Sequence, residues 1–238
     1  MSFLMAEWRK LAIANYNIDP IHLNNLIPAG TQLDYYTNSC LISLVGFRFV
    51  NTKLLGFKIP GHINFDEVNL RFYVKRKEGD TWKRGVVFIK EIVPKPALSF
   101  IANMVYKEKY ITLPMKSNWD EKENELLVSY NWRLKSSWQK FQVYASPIQK
   151  EITPNSLEEF ITEHYWGYTR INNNLTFEYE VTHPRWSQYK VKEWNIEVDF
   201  ERTYGSQFGF LNKLEPTSVM LAEGSQITVE HKRKIRIK

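Results

Sequence analysis

A single cysteine, Cys40, occurs in 238 residues, which excludes an intramolecular disulfide and a cysteine-based zinc site within one chain. A reducing compartment is the simplest setting. Glycine-rich phosphate loops are missing as well. The chain has no Gly-x-Gly-x-x-Gly and no Walker-type run, so nothing in it offers the row of backbone N–H groups that cradles a nucleotide phosphate. Without a Gly-x-Ser-x-Gly, a hydrolase nucleophile elbow has no support. His22, His62, His164, His183 and His231 stand singly rather than at the short spacings of a metal site. No cofactor and no metal are therefore expected.

Long apolar runs are also lacking. Met1–Leu11 carries Glu7, Arg9 and Lys10 after a few apolar residues, too short a run for a signal peptide, and no later stretch reaches membrane-spanning length. The expectation is a cytoplasmic protein with no membrane span. Excess charge is confined to one end: of the formal +6, five positive charges belong to Lys232, Arg233, Lys234, Arg236 and Lys238, which leaves residues 1–231 at only +1. A nearly neutral body argues against nucleic acid as a partner. The basic tail, 231–238, reads most simply as a solvated terminal strand.

What is present is aromatic and β-forming. Aromatic residues make up 15% of the chain, a supply of large apolar groups that suits a folded β protein. No Pro/Gly/Ser-rich linker divides it, so residues 1–238 read as one domain. Asp19-Pro20 looks like an N-cap followed by proline at the first helical position, for a short helix through Leu23 toward Leu26 that Pro28-Ala29-Gly30 stops. Cys40–Val50 has the β-branched and aromatic content of a buried strand, with Gly46 marking a bend or bulge. Glu67–Val74 alternates: Val68, Leu70, Phe72 and Val74 point one way and Glu67, Asn69, Arg71 and Tyr73 the other. A charged turn, Lys75–Arg84, leads to the apolar strand Gly85–Ile89 as its hairpin partner.

Pro96 opens a helix whose Leu98, Ile101, Ala102 and Val105 fall at helical spacing. Glu125–Leu134, with Leu126, Val128, Tyr130, Trp132 and Leu134 inward, forms a hairpin with Trp138–Tyr144. Ser156 and Glu159 make a capping box for a helix to about His164. Thr176–Thr182 and Val191–Phe200 alternate as strands, the first burying Phe177, Tyr179 and Val181, the second Trp194, Ile196, Val198 and Phe200. The carboxylate pairs Glu178/Glu180 and Glu193/Glu197 then fall on exposed faces. With no regular βαβ alternation, the architecture is α+β and β-dominated, a largely antiparallel sheet with a few short helices.

Ser43–Phe49 (SLVGFRF), Asn64–Val74 (NFDEVNLRFYV) and Gly85–Pro94 (GVVFIKEIVP), together with Leu113-Pro114-Met115, Tyr165–Arg170 (YWGYTR) and His183–Trp186 (HPRW), resemble the YqjF-like family over most of the chain. That resemblance implies an acetoacetate decarboxylase-like fold, a strongly bent antiparallel sheet or barrel enclosing an internal cavity, within a family that has no established activity. In acetoacetate decarboxylases a lysine forms a Schiff base with a keto acid, activated by a second cation beside it and surrounded by glutamates and an arginine. The nearest equivalent here is Glu91-Ile92-Val93-Pro94-Lys95, with Lys95 as the candidate amine. It departs from the decarboxylase pattern in a shorter glutamate-to-proline gap and in Pro96 where the activating lysine would stand, for which Lys90 is the nearest substitute. The resemblance also places Glu67 where that fold puts a cavity glutamate, and alternation carries Asn69 and Arg71 onto the same face.

Three functions compete. The leading one is binding of a small acidic or carbonyl-bearing molecule in an internal polar cavity, with Arg71 or Arg170 meeting the anion and Asn69, Glu91 and Tyr168 beside it. The second is a Schiff-base decarboxylase or lyase acting through Lys95, with Glu67 and His183 in proton transfer. The third is a non-catalytic interaction module that uses the basic tail. Glu67 and Arg71 are expected close enough to pair directly or through a ligand, being two same-face steps apart on one strand, at about 7 Å per step. His183 is expected at the end of its strand, near Tyr168 and Arg170.

Overall fold

The computed structural model describes residues 2–237; Met1 and Lys238, the ends of the expected domain and tail, lie outside the described residues. The chain runs β1 (Leu4–Asn17), β2 (Gln32–Leu33), β3 (Leu41–Leu54), β4 (Phe65–Glu78), β5 (Thr81–Val93) and α1 (Pro96–Val105). Strands β6 (Tyr110–Thr112), β7 (Met115–Lys122), β8 (Glu125–Leu134) and β9 (Ser137–Glu151) follow, then α2 (Leu157–Thr162). The last part holds β10 (Trp166–Arg170), β11 (Leu175–Thr182), β12 (Ser187–Glu197), α3 (Phe200–Tyr204), β13 (Ser218–Val229) and β14 (Arg233–Arg236).

Most strands join one sheet in the order β14-β11-β10-β5-β4-β3-β1-β13-β12-β9-β8-β7. A further pairing of β11 with β13, Val181 opposite Val229 and Thr182 opposite Thr228, closes the seven strands from β11 to β13 into a barrel. Closure needs a sheet that bends back on itself. Here β5 supplies the change of direction, pairing antiparallel with β4 but parallel with both β10 and β6. Among the described residues no helix is long and apolar enough to cross a membrane.

Strand β4 shows why the barrel has two cores. Its Val68, Leu70, Phe72 and Val74 pack in one cluster with Val128, Tyr130, Trp132 and Phe141 of the β8–β9 layer, while Phe65 and Tyr73 belong to a second cluster with Leu11, Phe47, Phe49 and Val86. The expected alternation holds, yet both faces are buried. The turn between β4 and β5 is tighter than the charge run suggests, only Gly79-Asp80, with Gly79 at φ 58°.

Several local expectations change. Gly46 marks a close approach instead of a bend: a Cβ there would come within 2.7 Å of the Tyr130 ring, and the register irregularity lies in the partner strand, between Arg9 and Ala12. The segment after Asp19 is a 3-10 turn, Pro20–Leu23, capped by the Asp19 carboxylate on the Ile21 amide at 2.9 Å. Phe200 belongs to α3, and Trp194 is 42% exposed, because β12 lies over β9 with one side open to solvent. Glu178 is not on an exposed face. It is fully buried beneath Arg76 and Arg233, since β14 pairs along β11 and covers it. The basic tail is thereby a sheet strand, with Ile235 buried and Arg233 also paired to Glu78 at 2.6 Å.

Candidate functional site

A cavity of about 180 Å³ opens into the barrel, and its walls are mainly apolar, with Trp8, Phe47, Phe49, Phe65, Phe88 and Val181 among them. Helix α1 covers one side. Pro96 starts it, Leu98, Ile101 and Ala102 turn to the cavity, and Phe100 and Met104 stay exposed on the outer face. Apolar walls around a few convergent polar groups are the usual build of a small-molecule site.

The polar groups arrive from separate elements. Strand β4 turns Glu67, Asn69 and Arg71 inward, and the ladder sets Glu91 of β5 directly opposite Asn69. A bulge in β5 leaves Ile89 unpaired, so that Arg71 faces Phe88 across the ladder, on the same inward side. The parallel pair of β6 with β5 places Tyr110 beside Glu91, and Glu108 enters just before it. Asn103 of α1 locks Tyr110 through two hydrogen bonds, to its carbonyl at 2.9 Å and from its amide at 2.8 Å.

Glu67 accepts hydrogen bonds from Asn69 Nδ2 at 2.9 Å and Tyr110 Oη at 3.1 Å. Glu108 accepts from Thr169 and from Tyr179 Oη, the latter at 3.1 Å. Burial outweighs these bonds and pushes the carboxyls of both Glu67 and Glu108 up to about 7. Burial, with the charges of Glu108 and Glu67 nearby, raises Glu91 well above the usual carboxylate range. At neutral pH Glu91 therefore holds its proton while Glu67 and Glu108 are partly protonated, so the cluster can donate as well as accept.

Arg71 is different in kind. It is only 8% exposed, and among the described residues no carboxylate lies within 4 Å of its guanidinium and its Nε has no partner. His164 is also buried at the cavity wall, against Tyr73 and Phe160. Its Nε2 meets Asp34 Oδ2 at 3.2 Å and its Nδ1 has no partner. Burial pushes the imidazole down to about 4, against the pull of Asp34. Buried side-chain polar atoms without partners are few in native proteins. Of the nine found among the described residues, six belong to cavity residues: Trp8, Thr52, Asn69, Arg71, Glu91 and His164.

The other expected site residues lie elsewhere. Lys95 stands at the N-terminal cap of α1, half-buried, and among the described residues no lysine lines the cavity. Lys90 points to the opposite face of β5 and donates to the Thr203 carbonyl of α3. His183 follows β11 but stacks on Trp186 at 4.1 Å, and its Nδ1 donates to the Pro184 carbonyl, 2.8 Å away. The expected proximity of His183 to Tyr168 and Arg170 is not found. Tyr168 pairs with Glu178 and Arg170 with Thr176 in the antiparallel β10–β11 ladder, so His183 lies five residues past Tyr168's partner, about 17 Å along the strand. Tyr168 and Arg170 border a second cleft with Asn25 and Lys109, where Arg170 is exposed and bound to Asn25 and Asn173.

Glu108, Tyr110, Tyr179 and His164 are cavity residues that sequence reasoning did not nominate. Glu108 sits between Lys107 and Lys109 and reads as solvated charge. Tyr179 gave the only signal, its inward parity on β11. Its ring needs Gly167 opposite, where a Cβ would come within 2.1 Å of Cζ.

Residues 5–226 match the DUF2071 family, described as an uncharacterized conserved protein. A curated relative, the uncharacterized protein YqjF of Bacillus subtilis (strain 168), is 28% identical over 182 residues, covering 75% of this chain and 72% of that protein. Among solved structures, acetoacetate decarboxylase from Legionella pneumophila is similar with a TM-score of 0.66 at 10% identity, over 98% of this chain and 86% of that one. The enduracididine biosynthesis enzyme MppR complexed with pyruvate is similar at 0.67 and 10% identity, over 98% and 91% of the two chains. These two likenesses establish the bent, cavity-forming fold alone, while the family match over nearly the whole length shows that the chain belongs to the DUF2071 family of uncharacterized conserved proteins.

Proposed function

We propose that this protein binds a small carboxylic acid inside the barrel, its carboxylate on Arg71 and its apolar body against the aromatic walls. The observation that carries this reading is the buried guanidinium of Arg71 without a carboxylate partner among the described residues. A charge taken out of water is costly unless paired, and a guanidinium matches a carboxylate with two parallel hydrogen bonds. Burial raises Glu67, Glu91 and Glu108, which lessens their repulsion of an anion, and Glu91, raised furthest, supplies a donor for a carbonyl or hydroxyl. That MppR, a protein of like fold, is complexed with pyruvate supports an acid of this kind. The protein works in the cytoplasm on this reading, in keeping with the free, buried Cys40.

The Schiff-base reading is favoured by the fold shared with acetoacetate decarboxylase. It requires an amine in the cavity, and among the described residues no lysine lines it. The interaction reading relied on a free basic tail, whose Arg233 is engaged with Glu178 and Glu78. Calorimetric titration with hexanoate and pyruvate decides the main reading. Arg71→Met should weaken binding roughly 10- to 100-fold, the value of a lost charge-assisted pair. Equal affinity in the variant, or no binding of either acid to the wild type, overturns it.

A further inference from the structure

We propose that the mouth of the cavity is a docking surface for an anionic lipid bilayer. It makes the acid of the carboxylate reading a lipid-derived one, and that consequence alone depends on Arg71.

Two stretches of chain face each other across the mouth. The end of β3 and its connection to β4 turn Leu54, Ile59 and His62 to the cavity, and α1 turns Leu98, Ile101 and Ala102 to it. All six are only partly buried, whereas the polar groups deeper in are fully so. On the outer side of the same two stretches stand Phe57, 75% exposed, and Phe100, 67% exposed, the two most exposed aromatic side chains among the described residues. Leu55 and Met104 are exposed beside them in the sequence.

Helix α1, PALSFIANMV, carries no charged side chain. A surface helix ordinarily sets charged and polar groups toward water, and one that is apolar all round is a helix with both faces covered. The cavity covers one face of α1, while Phe100 and Met104 hold the other open. An exposed apolar patch rimmed by charge marks a contact surface.

Charge selects what makes that contact. Lys53 and Lys58 flank Leu55 and Phe57, and Lys95 and Lys107 bracket α1. Among the described residues no carboxylate lies within 4 Å of any of these four amines, and neither 51–65 nor 92–107 contains an aspartate or glutamate. A second copy of the chain docked here about a two-fold axis would set these lysines against their own counterparts, which like charge opposes. An anionic bilayer answers both features. Its headgroups attract the lysines, whose long stems can lie along apolar surface, and its acyl boundary takes up Phe57 and Phe100. The apolar cavity walls begin at this same face, so an acid with an apolar body enters without its chain crossing water.

Co-sedimentation of the whole protein with vesicles made of equal parts phosphatidylcholine and phosphatidylglycerol tests this. The wild type should bind these vesicles, should not bind vesicles of phosphatidylcholine alone, and should bind less at about 1 M salt, where the screening length falls to about 3 Å. Phe57→Ser combined with Phe100→Ser should weaken binding to the mixed vesicles about tenfold. Lys53→Gln combined with Lys58→Gln should do so to a similar extent, about tenfold. Neither Phe57 nor Phe100 lines the cavity, so their double variant should titrate with hexanoate as the wild type does. The docking surface is overturned by an absence of binding to the mixed vesicles, or by binding that both double variants leave unchanged. A concentration-dependent dimer in sedimentation velocity that the Phe57/Phe100 variant dissociates would overturn it too, assigning the face to a second copy. Each of these results leaves the carboxylate reading standing where hexanoate binds. Where hexanoate does not bind, that reading falls and the vesicles still decide the docking surface.

Discussion

Glu67 and Arg71 share the inward face of β4 without forming an ion pair. Glu67 is satisfied by Asn69 and Tyr110, and the Arg71 guanidinium lies over the Tyr73 ring, 5.7 Å from Cζ to centroid. The strand thus presents a carboxyl that can stay protonated and a guanidinium that cannot lose its charge. Such an arrangement favours an incoming anion over an internal salt bridge.

Because no carboxylate among the described residues pairs with Arg71, Arg71→Met should make the empty protein more stable even as it weakens acid binding. A gain of about 1–3 kcal/mol is expected from replacing a buried charge by an apolar chain of similar length. Thermal unfolding without ligand checks this. A variant that melts well below wild type would mean that the guanidinium has a structural partner.

The carboxyl cluster sets a pH dependence of known sign. Glu67 and Glu108 ionise near 4.5 when unfolded and at about 7 when folded. Between those values the folded state binds more protons than the unfolded one, so their contribution falls as pH rises through that window and levels off above it. His164 acts oppositely, since its folded value of about 4 lies below its ordinary 6.5, and stability is lost as pH falls between them. The two are separated by Glu67→Gln, which keeps neutral hydrogen-bonding groups for Asn69 and Tyr110. The variant should match wild type near pH 4 and exceed it at pH 8 by on the order of 2 kcal/mol. A difference in melting temperature that does not change with pH would count against a protonated cluster.

Borohydride reduction in the presence of pyruvate should leave no covalent increment on the protein. Lys95 lies outside the cavity lining, so a keto acid held in the cavity meets no amine there. Lys95→Met and His183→Ala should both hold acid affinity within about twofold. Mass spectrometry showing a trapped adduct that disappears in Lys95→Met would restore the Schiff-base reading.

Gly167→Ala tests the wall. The added methyl would meet the Tyr179 ring, whose hydroxyl holds Glu108 at 3.1 Å, and overpacking of this kind costs about 1–3 kcal/mol. Both a lower melting temperature and weaker acid binding are expected. Unaltered binding would show that Tyr179 can shift without disturbing the cluster.

Local features are legible in the chain alone. Alternation along β4 separates Glu67, Asn69 and Arg71 from Val68, Leu70 and Phe72, because side chains on a strand reverse at every residue. Helical spacing after Pro96 picks out the face of α1 that covers the cavity. Alternation cannot say whether a polar face meets water or a cavity, and only the β11–β13 closure turned that face of β4 inward. Glu178 was misread for the same reason, since its cover, β14, comes 55 residues later in the chain at Arg233. Glu108, Tyr110 and His164 come from a loop, a three-residue strand and a helix end, where no periodicity exists to mark them. Their meeting with Arg71 was decided by the tertiary structure, because buried charge and unpaired donors acquire meaning only from what long-range packing leaves around them.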